Sequence, residues 1–215
     1  MKKLMYLVSL TAIMLFSMMI TCHAATYYVS NSGDDSNNGM SEEKAWRSLK
    51  KASSVVLEPG DELLLECGGI WNEALTPKGA GAKDLPITLG SYGEGTKPLI
   101  NAGGVEGLYS GGAVSLFNQS YWTIRDIEVT NMAEEAAWRS GISVYFEDMI
   151  GYGIIIQNVT VHDVMGGITN SAVKQMNDSH WHAGISVRAE ATKKNDTYID
   201  GVLIENCEIY SVRRT

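Results

Sequence analysis

Three stretches of this chain repeat one another. They are Gly112-Ala-Val-Ser-Leu with Trp122-Thr-Ile-Arg-Asp-Ile-Glu-Val-Thr-Asn, Gly141-Ile-Ser-Val with Ile154-Ile-Ile-Gln-Asn-Val-Thr-Val-His-Asp, and Gly184-Ile-Ser-Val with Val202-Leu-Ile-Glu-Asn-Cys-Glu-Ile-Tyr-Ser. Each unit reads as a short strand, a variable insert, a second strand, a polar corner and a third strand. A unit of this kind cannot bury its apolar face until the next stacks on it, which is the signature of a solenoid. The repeat therefore predicts the architecture, and the architecture decides which side chains can meet a ligand.

Aligning the units gives columns. Ile124, Ile156 and Ile204 form one, Ile127, Val159 and Cys207 a second, and Val129, Val161 and Ile209 a third. Alternation along each strand points them inward, with equivalent positions of successive coils about 4.8 Å apart. Asp126, Asn158 and Asn206 share the corner, where Asn and Asp tolerate a left-handed backbone and stacked amides can bond along the axis. Asp126 is therefore read as a corner residue. His162 follows inward Val161 and is expected to face solvent, away from any groove.

Upstream, Thr26-Tyr-Tyr-Val-Ser30 alternates like a strand and enters a run of turn formers up to Gly39. Asp34, Asp35 and Asn37 in that run offer oxygen ligands for calcium, although the spacing lacks the full set of a calcium loop and matches a plain turn. From Ser41 to Leu57 the pattern is helical, with Ser41 as N-cap and Trp46, Leu49, Ala52 and Val56 on one side. This helix is expected to plug the first coil, with Trp46 in the core, and Pro59-Gly60 ends it. Residues 25–60 thus form an N-terminal strand and capping helix, and residues 61–215 the coils.

The chain opens Met1-Lys2-Lys3, runs without charge from Leu4 to Ile20, and reaches Thr-Cys-His-Ala-Ala. A basic start, an apolar run and a small-x-small site predict a secretory signal at 1–24, cut after Ala24. The protein is accordingly expected to be secreted, periplasmic or at the cell surface, with no membrane span after cleavage and as a monomer. The formal charge is −8, and loss of two leader lysines leaves 15 basic against 25 acidic residues, or −10. So acidic a body is a poor partner for nucleic acid. Cys67 and Cys207 then remain, and the inward position of Cys207 favours a buried free thiol over a disulfide. The last strand runs directly into Val212-Arg-Arg-Thr215 without a capping unit, so a longer protein, truncated here, is expected.

These features carry a resemblance. Thr26-Tyr-Tyr-Val-Ser-Asn-Ser-Gly-Asp-Asp-Ser-Asn-Asn-Gly39, Ala45-Trp-Arg-Ser-Leu, Pro59-Gly-Asp-Glu-Leu-Leu-Leu, Gly69-Ile-Trp-Asn-Glu, Leu85-Pro-Ile-Thr-Leu and the Ile-x-Asn-Val coils span nearly all of residues 26–212. Together they resemble the right-handed parallel β-helix proteins of the pectate-lyase-like superfamily, in particular secreted bacterial carbohydrate-active members. The resemblance implies an all-β right-handed parallel β-helix with a polysaccharide partner. The superfamily holds lyases, hydrolases, epimerases and non-catalytic adhesins, so the resemblance does not choose the reaction and assigns no catalytic residue.

It also implies a groove along the first strand of each coil, here residues 114–119, 142–147 and 185–190. With Val114, Ile142 and Ile185 inward, the outward columns become Ser115/Ser143/Ser186, Phe117/Tyr145/Arg188 and Gln119/Glu147/Glu190. Paired carboxylates suit glycoside hydrolysis, one as acid and one as nucleophile or base, and like charges at that range would raise one pKa. A lyase needs instead a cation on the uronate and a base for the α-proton, parts open to Arg188, Lys174, His180, His182 or Tyr145. The insert at 166–183 carries His180-Trp181-His182, two histidines without a third metal ligand. Trp138 and Trp181, in loops, offer faces on which sugars stack. The candidates are therefore Glu147, Glu190, Arg188 and His182 for chemistry, and Tyr145, Trp138, Trp181, His180 and Lys174 for binding. Solvated edge residues without a role are the plainer account of the same positions. The expected function is polysaccharide binding and cleavage by a hydrolase, with a pectate-type lyase or a non-catalytic binding module as alternatives.

Overall fold

The computed structural model describes residues 24–107, 111–135, 137–167 and 182–214. The leader at 1–24 therefore lies outside the described residues, save for Ala24. Among the described residues, fourteen strands follow in order: β1 (Thr26–Val29), β2 (Glu62–Glu66), β3 (Ile70–Trp71), β4 (Ile87–Tyr92), β5 (Leu99–Asn101), β6 (Gly112–Phe117), β7 (Trp122–Arg125), β8 (Glu128–Asn131), β9 (Ser140–Glu147), β10 (Gly151–Gln157), β11 (Thr160–Gly166), β12 (Ala183–Glu190), β13 (Ile199–Glu205) and β14 (Glu208–Arg214). The only α-helix among the described residues is α1 (Leu49–Ala52).

Strands that are distant in sequence pair, and every named ladder is parallel. The first sheet runs β6-β9-β12, the second β1-β2-β4-β7-β10-β13, and the third β3-β5-β8-β11-β14. From β6 onward each pass of the chain lays one strand on each sheet, which is the arrangement of a β-helix. The expected register holds: Ile156 pairs with Ile124 and Ile204, and Val161 with Val129 and Ile209. Ile124, Ile156, Val129 and Val161 are fully buried, whereas Ile204 and Ile209 in the last rung are 45% and 49% exposed. Cys67 and Cys207 are free thiols, and Cys207 packs against the core.

The corner forms as the residue types dictate. Asp126, Asn158 and Asn206 have φ of 58°, 50° and 53°, the left-handed region where their short polar side chains cost least. Asn158 Nδ2 donates to Asp126 Oδ1 at 2.7 Å, tying two rungs together. A glycine column serves the packing. Gly141 and Gly184 precede the inward Ile142 and Ile185, and a Cβ on Gly141 would lie 2.4 Å from Val161 Cγ1. The register of β6 puts Ala113, not Gly112, in that column.

The expected capping helix over 41–57 is not what forms. A 3-10 turn at Glu42–Lys44 and the four-residue α1 are separated by extended chain, and Ser41 makes no side-chain cap. The cause is tertiary. Trp46 N donates to Tyr28 O and Trp46 O accepts from Ser30 N, so its backbone pairs with the edge of β1. Asp35 then accepts from the amides of Arg47 and Ser48, and Ser48 caps α1 through Lys51 N. Trp46 is nonetheless core, 2% exposed. No helix among the described residues is long and apolar enough to cross a membrane.

Candidate functional site

The outer face of the first sheet carries the expected columns, in part. Tyr145 pairs with Phe117 on one side and Arg188 on the other, and Glu147 pairs with Glu190. Side chains in register on adjacent parallel strands share a face, so all five stand on one wall. Gln119 does not join them. Asn118 turns out of β6 with φ 55°, and Gln119 Nε2 donates instead to Pro77 O at 2.8 Å. Asn118 Oδ1 in turn accepts from Glu147 N at 2.8 Å, which fixes the backbone under that carboxylate.

Tyr145 is the centre of this wall, though not as a sugar platform. Its ring stacks on Phe117 with centroids 6.0 Å apart and 14° between planes, and Arg188 Cζ lies 5.0 Å over it. The ring is 1% exposed. The binding face expected of Tyr145 is therefore covered, and its hydroxyl is turned to work. It donates to Glu190 Oε2 at 2.9 Å, across one rung. Glu190 is exposed and Phe117 is 39% exposed, so a carboxylate and an aromatic edge reach solvent on either side of a buried phenol. The serine column beside them is buried: Ser115, Ser143 and Ser186 are 4%, 3% and 6% exposed.

The loop after β12 is strapped to the end of β9. Asp148 Oδ1 accepts from the amides of Thr192 and Lys193, both at 2.8 Å, and Lys193 Nζ lies 3.5 Å from Oδ2. The hydrogen bond from the Thr192 hydroxyl, ahead of the opposing effect of burial, holds the Asp148 carboxyl below the usual carboxylate range. This strap fixes the ends of the two strands that carry Glu147 and Glu190.

Two candidates are separated from that centre. His182 stands just before β12, eight residues ahead of Glu190, and a strand rises about 3.3 Å per residue, so the two lie about 26 Å apart. His182 is thus no partner in a reaction at Glu190. It packs on Gly166, where a Cβ would come within 2.4 Å of its own Cβ. Trp138 lies at the same end of the sheet, two residues before β9, and lines a cleft of about 370 Å³ with Glu106, Gly107 and Ala137. Beneath it, Arg139 is 5% exposed and donates to the carbonyls of Gly104, Glu135 and Met165. Lys174, His180 and Trp181 lie outside the described residues.

His162 is on the outer face of the third sheet, as expected, but it does not face solvent. Its side chain is 15% exposed, and its ring nitrogens lie 2.8 Å from Glu128 Oε1 and 2.8 Å from Asp163 Oδ2. The ring stacks on Tyr210 with centroids 4.9 Å apart. Of the oxygens that could serve calcium, those of Asp35 take the Arg47 and Ser48 amides, and Asp34 Oδ1 takes Ser36 N. Asn37 Nδ2 donates to Ala45 O, so the run is built as a turn. No group of three or more potential metal ligands occurs among the described residues.

A fold of stacked parallel rungs with an acidic and aromatic outer wall defines a β-solenoid. Among known proteins, no family model matches the chain. In sequence it is similar to a lacto-N-biosidase of Bifidobacterium longum subsp. longum, 37% identical over 135 residues, 52% of this chain and 8% of that protein. In structure it is similar to a GH136 lacto-N-biosidase from Eubacterium ramulus, solved as the native protein and as a selenomethionine derivative. Each superposes with a TM-score of 0.66 and 25% identity over 87% of this chain and 34% of that one. The chain therefore spans 8% of the length of the curated relative and about a third of the solved chains. A rhamnogalacturonan lyase superposes with a TM-score of 0.47 at 15% identity, too distant to bear on the choice of reaction.

Proposed function

We propose that this chain forms part of the substrate groove of a glycoside hydrolase acting on oligosaccharides, of the kind its lacto-N-biosidase relatives are named for. In this reading it is exported by the 1–24 leader and its rungs are a right-handed, pectate-lyase-like helix. The observation that carries the proposal is the Glu147/Glu190 pair in register on one outer wall, with the Tyr145 hydroxyl on Glu190. Similarity to two named hydrolases supports it.

The chemistry follows from the spacing. Adjacent rungs are about 4.8 Å apart, near the roughly 5–5.5 Å between the carboxyls of retaining glycosidases. The Tyr145 hydroxyl fixes the Glu190 carboxylate in place, so Glu190 is assigned as the nucleophile and Glu147 as the acid and then the base. Glu190 attacks the anomeric carbon as Glu147 protonates the departing oxygen. Water, deprotonated by Glu147, then releases the sugar from Glu190. Arg188 and Tyr145 position Glu190, while the exposed edge of Phe117 meets the sugar.

Glu147→Gln and Glu190→Gln should each lower kcat on a chromogenic lacto-N-bioside or related β-glycosides by roughly 10²–10⁴. Wild-type rates in both variants would remove the proposal. A product absorbing in the near ultraviolet would replace it with a lyase, and binding without cleavage by the wild-type protein would replace it with a binding module.

A further inference from the structure

On the second sheet, away from the wall above, a cleft of about 450 Å³ is lined by Lys83, Pro86, Tyr121, Tyr152, Gly153, Ile155 and Asp200. Ligand sites run from roughly 300 to 1,000 Å³, so its size suits a small ligand. Tyr121 and Tyr152 stack nearly coplanar, 6° between planes and 5.8 Å between centroids. Asp200 stands in register with Tyr152 on the next rung.

The local backbone is arranged around this ledge. Tyr121 has φ 57°, a conformation that a bulky residue rarely adopts. Gly153, also with positive φ, is an extra residue between the Tyr121–Tyr152 contact and the Trp122–Ile154 pair. Its lack of a side chain is required, because a Cβ there would lie 2.7 Å from Tyr121 Cδ1. Gly201 on the next rung keeps the wall bare beside it, with only Gly153 backbone within 4 Å of a built Cβ. One tyrosine in a left-handed backbone and two bare glycines thus hold a pair of half-buried aromatic rings. No hydrogen bond or ion pair among the described residues engages the Lys83, Asp200, Tyr121 or Tyr152 side-chain polar groups, and these four residues line the cleft together with the apolar Pro86 and Ile155.

From this arrangement we infer a second saccharide-binding site, separate from the proposed reaction centre, that takes a neutral oligosaccharide. The choice of a sugar rests on the carbohydrate reading given above; the site rests on the ledge itself. A pyranose has apolar C–H faces and a hydroxyl rim. Tyrosine rings suit the face, a carboxylate accepts from vicinal hydroxyls, and an ammonium and two phenols donate to ring substituents. One cation opposite one anion leaves the cleft without net charge, and a chain of net charge −8 repels polyanions. Neutral sugars are therefore favoured over uronates.

The test is binding of lacto-N-biose, chitotetraose and cellotetraose, with trigalacturonate as the charged control, followed by NMR or calorimetry on the full chain. At least one neutral sugar should bind. Tyr152→Ala and Asp200→Ala should each weaken it about fivefold to tenfold, the scale of one lost ring or charged hydrogen bond. Asp200 is exposed, so its variant should melt with the wild type and separates lost binding from lost folding. Glu190→Gln should keep this binding. Neutral sugars that do not bind, that bind both ledge variants as well as wild type, or that are outcompeted by trigalacturonate overturn the inference. Absence of cleavage with Tyr152-dependent binding intact would instead sink only the hydrolase proposal.

Discussion

The Tyr145 hydroxyl donates a 2.9 Å hydrogen bond to Glu190 across one rung of the first sheet, while Phe117 and Arg188 close the two faces of its ring. The phenol is therefore a fixed strut, and the carboxylate that it holds is the part that reaches solvent. Ladder geometry makes such diagonal contacts natural, since a long side chain on one rung reaches the next residue pair on the neighbouring strand.

The strut can be removed without emptying the wall. Tyr145→Phe keeps the stack and deletes one hydrogen bond to a carboxylate that is exposed, so water takes the place of the lost donor. We expect kcat to fall about tenfold with KM nearly constant and the melting temperature almost unchanged. Tyr145→Ala should in addition destabilise the fold by about 3–5 kcal/mol, the usual loss for a fully buried ring. Steady-state kinetics beside urea unfolding of both variants would check this, and equal losses of stability would refute it.

His162 should make the fold sensitive to alkali. Burial of the ring favours its neutral form, but hydrogen bonds and charge from Glu128 and Asp163 outweigh that and raise its pKa above the ordinary 6.5. A raised folded-state value means that the protonated ring stabilises the fold fully below pH 6.5, with the gain lost as pH climbs through the folded value. Wild type should thus lose melting temperature from pH 6 to 9 more steeply than His162→Gln, which cannot titrate. Parallel slopes in the two proteins would count against the Glu128–His162–Asp163 clamp.

Gly141 carries a prediction about the core. A methyl at this position would sit 2.4 Å from Val161 Cγ1 and 2.7 Å from the Gly184 carbonyl oxygen, both in the packed interior. Overpacking of a close-packed core costs typically about 1–3 kcal/mol. Gly141→Ala should lower the unfolding free energy by that amount, whereas Gly68→Ala meets no neighbour within 4 Å and pays only for its positive φ of 77°. Urea midpoints would rank the two, and a neutral Gly141→Ala would show that the rungs can shift apart.

How far the sequence could be read depended on how local the cause was. The inward columns and the Asp126, Asn158, Asn206 corner were legible because period-two alternation and a repeat fix register together, and because few residue types accept positive φ. Trp46 was legible as core but not as extended chain: the 41–57 pattern is helical by period, and pairing with Tyr28 and Ser30 overrides it. Alternation marked Tyr145 as outward without revealing that Phe117 and Arg188 cover it. The separation of His182 from Glu190 was implicit in a strand spanning the whole interval, yet nearness in sequence grouped them. The Tyr121–Tyr152 ledge escaped because Gly153 shifts the alignment by one residue, a bulge that no repeat column displays.

Asp148 governs the loop that leaves the first sheet beside the proposed reaction centre. Its Oδ1 accepts from the Thr192 and Lys193 amides, and its pKa is lowered, first by the Thr192 hydroxyl. A lowered value means that the ionised carboxylate stabilises the strap above the ordinary range near pH 3.9, and that the gain vanishes as pH falls through the folded value. Amide hydrogen exchange reads this directly, because both donors lose their acceptor together. At neutral pH, Asp148→Ala should speed exchange at Thr192 and Lys193 while leaving the amides of β9 protected. Unchanged exchange at these two amides would mean that the loop is held elsewhere. If they accelerate and kcat falls with them, the strap sets the spacing of Glu147 and Glu190; if they accelerate alone, β9 and β12 hold that spacing through their own ladder.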